Sequence, residues 1–128
     1  MSEKFLQRLP WLIAGAVVLI IVIGIASRSG APGKYLSFTR CLKDKGAVFY
    51  GAFWCSHCQN TKKMFASAAS ELPYVECSTP DSRGQTQVCK DKKIDGYPTW
   101  IFADGERLSG ELTFDTLSQK TGCSLPQQ

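Results

Sequence analysis

The sequence predicts one α/β domain of two-layer or sandwich type, preceded by a hydrophobic N-terminal helix. Three observations lead to this prediction. Strand-like apolar runs alternate with helix-like stretches from residue 35 onwards, residues 12–26 carry no charge, and Trp54-Cys55-Ser56-His57-Cys58 lies between a predicted strand and a predicted helix. The 128 residues suffice for one small domain beside such a segment.

The N-terminal helix is predicted from residues 12–26, which contain only Leu, Ile, Val, Ala and Gly. At about 1.5 Å per helical residue, this stretch and its flanking apolar residues can just cross a hydrocarbon core of about 30 Å. We therefore expect residues 1–27 to form a single-pass membrane anchor in contact with lipid, with a transmembrane helix at about residues 10–26. A cleavable signal peptide and a buried core helix remain open as alternatives.

The cysteine content, more than the charge, indicates on which side of the membrane the domain lies. Basic residues flank the hydrophobic stretch on both sides, so they do not fix its orientation. Six cysteines suit an oxidising compartment, because the cytosol reduces disulfides, and we expect the domain on the extracytoplasmic side of the membrane. The net charge of +4 is modest, and Lys62-Lys63 and residues 90–93 are interpreted as solvated helix faces, so no nucleic-acid partner is expected.

Residues 28–34 are small, polar and interrupted by Gly and Pro, which predicts a flexible linker before a domain at residues 35–128. The elements of this domain follow from apolar patterning and from the Gly and Pro residues that end helices. In order, they are a helix at 35–45, a strand at 47–53, a helix at 55–72, a strand at 74–77, a turn-rich segment at 78–84, a helix at 85–93, strands at 99–103 and 107–110, and a helix from Thr113 to Gly122.

Local signals justify these elements. Gly46 ends the first helix, and the continuous apolar run at 47–53 has the length of a central strand covered on both faces. Pro73 ends the second helix, whose apolar residues share one side. Asp104-Gly105 is a strong hairpin signal between the last two strands.

The two cysteines around His57 have the spacing of a redox-active dithiol. A thiol in the first turn of a helix faces unpaired N–H groups and a partial positive charge, which favour the reactive thiolate, so Cys55 is the candidate attacking thiol. Cys58 lies one turn along the same helical face and is the candidate resolving thiol. We expect His57 to favour the Cys55 thiolate by charge or hydrogen bonding, which makes the disulfide a better oxidant.

Other interpretations of this motif stay open, because zinc sites and structural disulfides use the same spacing. Cys55, His57 and Cys58 could hold Cu(I) or zinc in a binding module that is not an enzyme. His57 could also be a solvated side chain without a role. No second Cys-x-x-Cys is present in the sequence, and we expect neither a metal nor a bound cofactor.

The motif, the later Ile94-Asp95-Gly96-Tyr97-Pro98-Thr99 and the Asp104-Gly105 hairpin together resemble the thioredoxin family over residues 35–123. The resemblance implies a thioredoxin-like fold, with a central mixed sheet flanked by helices. It also implies a cis peptide bond between Tyr97 and Pro98, facing the dithiol, beside which exposed backbone groups can pair with an extended substrate. An ordinary turn proline is the alternative for Pro98.

Three segments narrow the resemblance to the thioredoxin-like domain associated with bacterial homologues of vitamin K epoxide reductase. They are residues 49–58, 73–77 and 97–100. Such domains exchange disulfides with a quinone-reducing membrane oxidase and with exported proteins, so the resemblance implies both kinds of partner. Because the sequence has one hydrophobic segment, we expect the oxidase to be a separate polypeptide.

One position departs from thioredoxin itself, which has a buried acid six residues before its first active cysteine, where the acid assists proton transfer. Phe49 occupies that position here. The Ser56-His57 dipeptide, in place of Gly-Pro, is closer to those of oxidising and isomerising relatives. Both features weaken the case for a thioredoxin-style reductase.

The remaining four cysteines are expected to be structural. The resemblance implies a disulfide between Cys77 and Cys89, which flank residues 78–88. Cys41 and Cys123, in the first and last helices, could join the ends of the domain. A relay of electrons between one of these two and the dithiol remains open.

The sequence thus predicts a membrane-tethered thiol–disulfide oxidoreductase that donates disulfides to thiol-containing exported proteins. The resemblance implies that a quinone-linked membrane oxidase reoxidises it. Trp54, Tyr97 and Pro98 are the candidate substrate-binding residues, and Trp100 belongs either to that surface or to the core. The alternatives are a membrane-anchored reductase or isomerase and the metal-binding module.

Overall fold

The computed structural model describes residue 11, residues 13–21 and residues 33–126. Residues 11 and 13–21 are helical, with exposed side chains. Among the described residues, no helix combines the length and the apolar character needed to cross a membrane. Residues 10, 12 and 22–26 of the predicted transmembrane helix lie outside the described part, as do residues 28–32 of the predicted linker.

Residues 33–126 form an α/β domain whose elements follow the predicted order. They are α1 (Leu36–Asp44), β1 (Val48–Gly51), α2 (Ser56–Met64), a 3₁₀-helix (Ala66–Glu71), β2 (Tyr74–Glu76), α3 (Gln87–Asp91), β3 (Thr99–Ile101), β4 (Arg107–Ser109) and α4 (Phe114–Thr121). Local sequence signals set the ends of several of these elements. The Thr113 side chain caps α4 by accepting the Thr116 N–H, and Gly122 ends it with a left-handed φ of 73°.

The four strands form one mixed sheet in the order β2-β1-β3-β4. β1 runs parallel to β2 and antiparallel to β3, and β3 continues into β4 through an antiparallel hairpin. Phe49 and Tyr50 of β1 are both buried although they project to opposite faces, so β1 is central and covered on both sides. The predicted mixed sheet is confirmed.

Aromatic contacts hold the core together. Phe49 lies opposite Trp100 across the β1–β3 pair, and the two fully buried rings stack with centroids 4.9 Å apart. A second cluster joins three helical segments: the ring of Phe114 packs edge-on against Phe38 and Phe65, at 5.6 and 5.1 Å. The stack with Phe49 places Trp100 in the core, so its alternative assignment to a docking surface is wrong.

The predicted helix over residues 55–72 is broken in two. Cys55 is the N-cap of α2 rather than a helical residue, α2 ends at Met64, and Ala66 adopts a φ of +48°, which non-glycine residues rarely take. Phe65, at the break, is fully buried against Phe38 and Phe114. The burial of this ring offsets the cost of the left-handed residue, and the chain continues as a 3₁₀-helix.

Two disulfides tie the elements together. The Cys41–Cys123 bond links α1 to the segment that follows α4, and the Cys77–Cys89 bond links the end of β2 to α3. Cys123 therefore lies just after the last helix, and its predicted position within that helix is wrong, because Gly122 has already ended α4.

Candidate active site

Cys55 lies where strand β1 passes into helix α2. Its backbone is extended (φ −76°, ψ 119°), and its sulfur accepts the Cys58 N–H at 3.4 Å as the N-cap of a nine-residue helix. The N-terminal end of a helix carries a partial positive charge and unpaired N–H groups. The fold therefore places the Cys55 sulfur at this end of the helix, in contact with the Cys58 N–H.

The two thiols differ in access to solvent. Cys55 keeps 8% of its surface exposed, whereas Cys58 is fully buried. Burial raises the pKa of the Cys58 thiol to about 12, the neighbouring Cys55 adds to the increase, and Lys62 opposes it. An incoming sulfur can thus reach Cys55 first, while Cys58 stays protonated beneath it. Both remain free thiols in the structure.

The segment before β3 covers the dithiol. The Tyr97–Pro98 peptide bond is cis, and the Cys55 Sγ lies 3.6 Å from the Tyr97 carbonyl oxygen, to which the thiol donates. Pro98 is buried, and its own carbonyl oxygen accepts the Gly110 N–H at 2.9 Å. The structure therefore brings the predicted residue Tyr97, and with it the adjoining Pro98, beside the Cys55 thiol.

An aromatic surface flanks the dithiol. Trp54, 54% exposed, packs edge-on against Tyr97 with centroids 5.9 Å apart and donates from Nε1 to Ser78 Oγ at 2.8 Å. Phe53, 45% exposed, precedes it. Tyr97 is held in turn by Gln85, whose Nε2 donates to its hydroxyl at 2.8 Å. A polypeptide approaching Cys55 meets this apolar surface beside the sulfur.

Among the described residues, the His57 side chain makes no hydrogen bond to either sulfur. Its Nδ1 lies 2.6 Å from Glu111 Oε1, and the same oxygen accepts from Asn60 Nδ2 at 3.1 Å. Hydrogen bonds from His57 and Asn60 lower the pKa of Glu111. Sequence reasoning missed Glu111 and Asn60, because the His57 and Glu111 pair spans 54 positions and no local pattern marks it.

Glu76 is another residue that sequence reasoning missed. Its Oε1 accepts the N–H groups of Phe53 (3.2 Å) and Ser78 (2.8 Å), and its Oε2 accepts the Tyr74 hydroxyl at 2.7 Å. Burial raises the pKa of Tyr74, and the bond to Glu76 adds to this shift. Through these hydrogen bonds, Glu76 connects the residues just before Cys55 to the end of β2.

Close packing around Cys58 explains a glycine at the end of β1. A Cβ placed on Gly51 would lie 2.9 Å from Cys58 Sγ and 2.9 Å from Tyr74 Cε2. Only glycine permits this approach of strand, helix and tyrosine ring without a shift. Among residues 11, 13–21 and 33–126, no group of three or more His, Cys, Asp or Glu side chains is arranged to hold a metal ion.

The comparison with protein families identifies this arrangement. The family model described as thioredoxin matches residues 37–121, more than half of the chain. The chain belongs to the thioredoxin family. The thioredoxin domain with its Cys55 and Cys58 pair is of the thiol–disulfide oxidoreductase type.

Curated relatives agree with this assignment. The chain is 45% identical over 96 residues to the thiol-disulfide oxidoreductase LTO1 of Arabidopsis thaliana, covering 72% of this chain but 25% of that protein. It is 29% identical over 109 residues to the protein disulfide isomerase-like 5-1 of Oryza sativa subsp. japonica, covering 73% of this chain and 71% of the relative. The thioredoxin-family chain thus spans about a quarter of the length of LTO1.

Proposed function

We propose that this protein is a membrane-tethered thiol–disulfide oxidoreductase that donates disulfides to exported proteins through Cys55 and Cys58. The observation that carries the proposal is the difference between the two thiols. Cys55 is accessible at the N-terminus of α2, and Cys58 is fully buried with a pKa raised to about 12. This difference makes Cys55 the sulfur that a substrate reaches and leaves Cys58 protonated once the disulfide has opened.

The first step is attack by a substrate thiolate on the Cys55 sulfur of the oxidised pair. A bond forms between the substrate sulfur and Cys55, the Cys55–Cys58 bond breaks, and Cys58 takes the electron pair and then a proton. In the second step the substrate's other thiolate attacks the substrate sulfur of the mixed disulfide and expels Cys55 as a thiolate. The helix N-terminus and the Cys58 N–H stabilise this leaving group.

The competing step is return attack by Cys58 on Cys55, which would release the substrate still reduced. It requires the Cys58 thiolate, because the thiol is not the nucleophile. With a pKa of about 12, Cys58 is almost entirely protonated at neutral pH. The mixed disulfide is therefore expected to live long enough for the substrate's second thiol to complete the oxidation.

Reoxidation of the Cys55 and Cys58 pair is assigned in this proposal to a membrane oxidase of the vitamin K epoxide reductase type. Support comes from the resemblance of residues 49–58, 73–77 and 97–100 to domains that work with such oxidases. The exposed Phe53 and Trp54 beside Cys55 provide an apolar surface that either protein partner can contact.

The membrane tether and the extracytoplasmic location belong to the same proposal. The uncharged residues 12–26 support insertion into a membrane, and the disulfides Cys41–Cys123 and Cys77–Cys89 suit an oxidising compartment. The test is alkaline carbonate extraction of the full chain from membranes, compared with the variant V18K/I21K. The wild type should stay in the membrane and the variant should be released, whereas release of both would refute the tether.

A membrane-anchored isomerase or reductase is the second candidate, favoured by the similarity to the protein disulfide isomerase-like 5-1 protein. One experiment separates the directions. The oxidised protein is mixed with a peptide containing two thiols, and peptide disulfide is counted by mass spectrometry against time. Stoichiometric transfer, lost in Cys55→Ala and retained in the C41A/C123A variant, supports donation. Rapid release of reduced peptide from a preformed mixed disulfide would favour the reductase.

A further inference from the structure

The loop between β4 and α4 contacts the site from both sides. The Gly110 N–H donates to the Pro98 carbonyl oxygen at 2.9 Å, beneath the cis peptide bond. The next residue, Glu111, reaches the first turns of α2, where its Oε1 meets His57 Nδ1 at 2.6 Å and Asn60 Nδ2 at 3.1 Å. One short segment thus connects the segment over Cys55 to the histidine between the two cysteines.

The protonation states in this contact follow from its chemistry. Hydrogen bonds from His57 and Asn60 lower the pKa of Glu111, so the carboxyl group is ionised at neutral pH. An ionised carboxylate only accepts hydrogen bonds, so Nδ1 of His57 carries the proton and donates it.

We propose that Glu111 is a positioning residue that holds the His57 imidazole and offsets its positive charge, and thereby limits how strongly the dithiol oxidises its substrates. This inference rests on the proposed function of Cys55 and Cys58. A cationic imidazole between the two cysteines favours the Cys55 thiolate and so the reduced form, which makes the disulfide more oxidising. A carboxylate at 2.6 Å opposes that effect.

The groups around His57 make this assignment specific. Cys55 and Cys58 are the ionisable neighbours on its own motif, and Glu111 approaches from the β4–α4 loop. Asn60 is neutral at every pH, and Lys62 acts on the Cys58 side of the pair. Removing the carboxylate of Glu111 therefore changes the net charge around the imidazole.

Substitution Glu111→Gln tests the inference, because it removes the charge and keeps the shape. The readout is the equilibrium constant of the Cys55 and Cys58 disulfide with glutathione at pH 5.5, an acidic pH that favours the positively charged form of imidazole groups. Exposed ion pairs are weak, because water and salt screen them. We therefore expect the variant to be more oxidising than wild type by about threefold in this constant.

A double-mutant cycle separates positioning from bulk charge. In a His57→Gln background, Glu111→Gln should change the constant by much less than threefold. Glu106→Gln is the matched control, since Glu106 is also paired on the surface, with Lys120 at 2.6 Å, and should leave the constant unchanged. An equal shift in both histidine backgrounds, no shift, or a less oxidising Glu111→Gln protein would each overturn the inference.

The same measurement distinguishes this inference from the proposed function. If the wild-type pair does not exchange reversibly with glutathione, both are overturned. If wild type exchanges and Glu111→Gln matches it, the assignment of Glu111 alone fails. Thermal melting of each variant is recorded as well. If Glu111 were only a structural contact, Glu111→Gln would lower Tm, and any change in the exchange constant would not depend on His57.

Discussion

The two disulfides are predicted to differ in their contribution to stability, because they close loops of very different length. Cys41–Cys123 spans 82 positions and Cys77–Cys89 spans 12. In the chain-entropy model, the first crosslink destabilises the unfolded state by about 4.5 kcal/mol and the second by about 2.8 kcal/mol. Removing the long crosslink should therefore cost about 1.7 kcal/mol more than removing the short one.

The perturbation is a pair of double variants, C41A/C123A and C77A/C89A, each with Cys55 and Cys58 intact. Alanine leaves no buried hydroxyl, and the loss of sulfur volume is similar for the two pairs, so it largely cancels in the comparison. Urea unfolding, followed by far-UV circular dichroism, gives the free energy of unfolding and the m-value of each variant. Both variants should be less stable than wild type, with C41A/C123A the less stable of the two.

The reasoning would be refuted if C77A/C89A were the less stable variant, or if the two costs were equal at unchanged m-values. Oxidation of a dithiol peptide is measured on the same samples below their unfolding transitions. Retained activity in C41A/C123A fits a structural crosslink. Lost turnover at unchanged stability would instead support the electron relay between this pair and the dithiol.

Three further predictions concern the packing of the site. In Cys55→Ala, iodoacetamide should alkylate Cys58 at pH 8 at least tenfold more slowly than free cysteine, because burial, the largest cause of the raised Cys58 pKa, remains after Cys55 is removed. The rate should rise through pH 10, and a plateau near pH 8.5 would contradict this. Gly51→Ala should cost about 1–3 kcal/mol in urea unfolding, because the new methyl group would lie 2.9 Å from the Cys58 sulfur; a neutral effect would be evidence against the tight packing. Glu76→Ala should lower the free energy of unfolding by about 1–3 kcal/mol, because two backbone N–H groups lose their acceptor. The control is Glu71→Ala at an exposed position, which should change the free energy of unfolding by no more than about 0.5 kcal/mol.

Much of the fold was predictable because local chemistry sets it. Thr113 and Gly122 mark the two ends of α4, the continuous apolar run marks β1, and Asp104-Gly105 marks the last hairpin. The dithiol was equally readable, since Cys55 and Cys58 have the spacing of one helical turn after a strand. In each case the signal lies within a few residues of the feature that it predicts.

The features that sequence reasoning missed depend on distant contacts. Residues 66–69 are rich in alanine and suggest a continuous helix, yet the burial of Phe65 against two other rings forces the break at Ala66. Glu76 and Glu111 reach the site across 23 and 54 positions, and no pattern in the sequence marks either of them. The sequence left Trp100 open between the core and a docking surface. Because β3 is buried on both faces, its residues do not alternate between apolar and polar in a way that would show which side Trp100 faces.

The central claim is that the Cys55 and Cys58 pair acts as an oxidant. Its most direct test is the reduction potential of the pair, measured by equilibration in glutathione buffers with thiols counted by mass spectrometry. We expect a value of about −120 to −180 mV, the range of proteins that donate or rearrange disulfides. A value near about −270 mV, as in thioredoxin, would contradict it and assign the protein to the reductases.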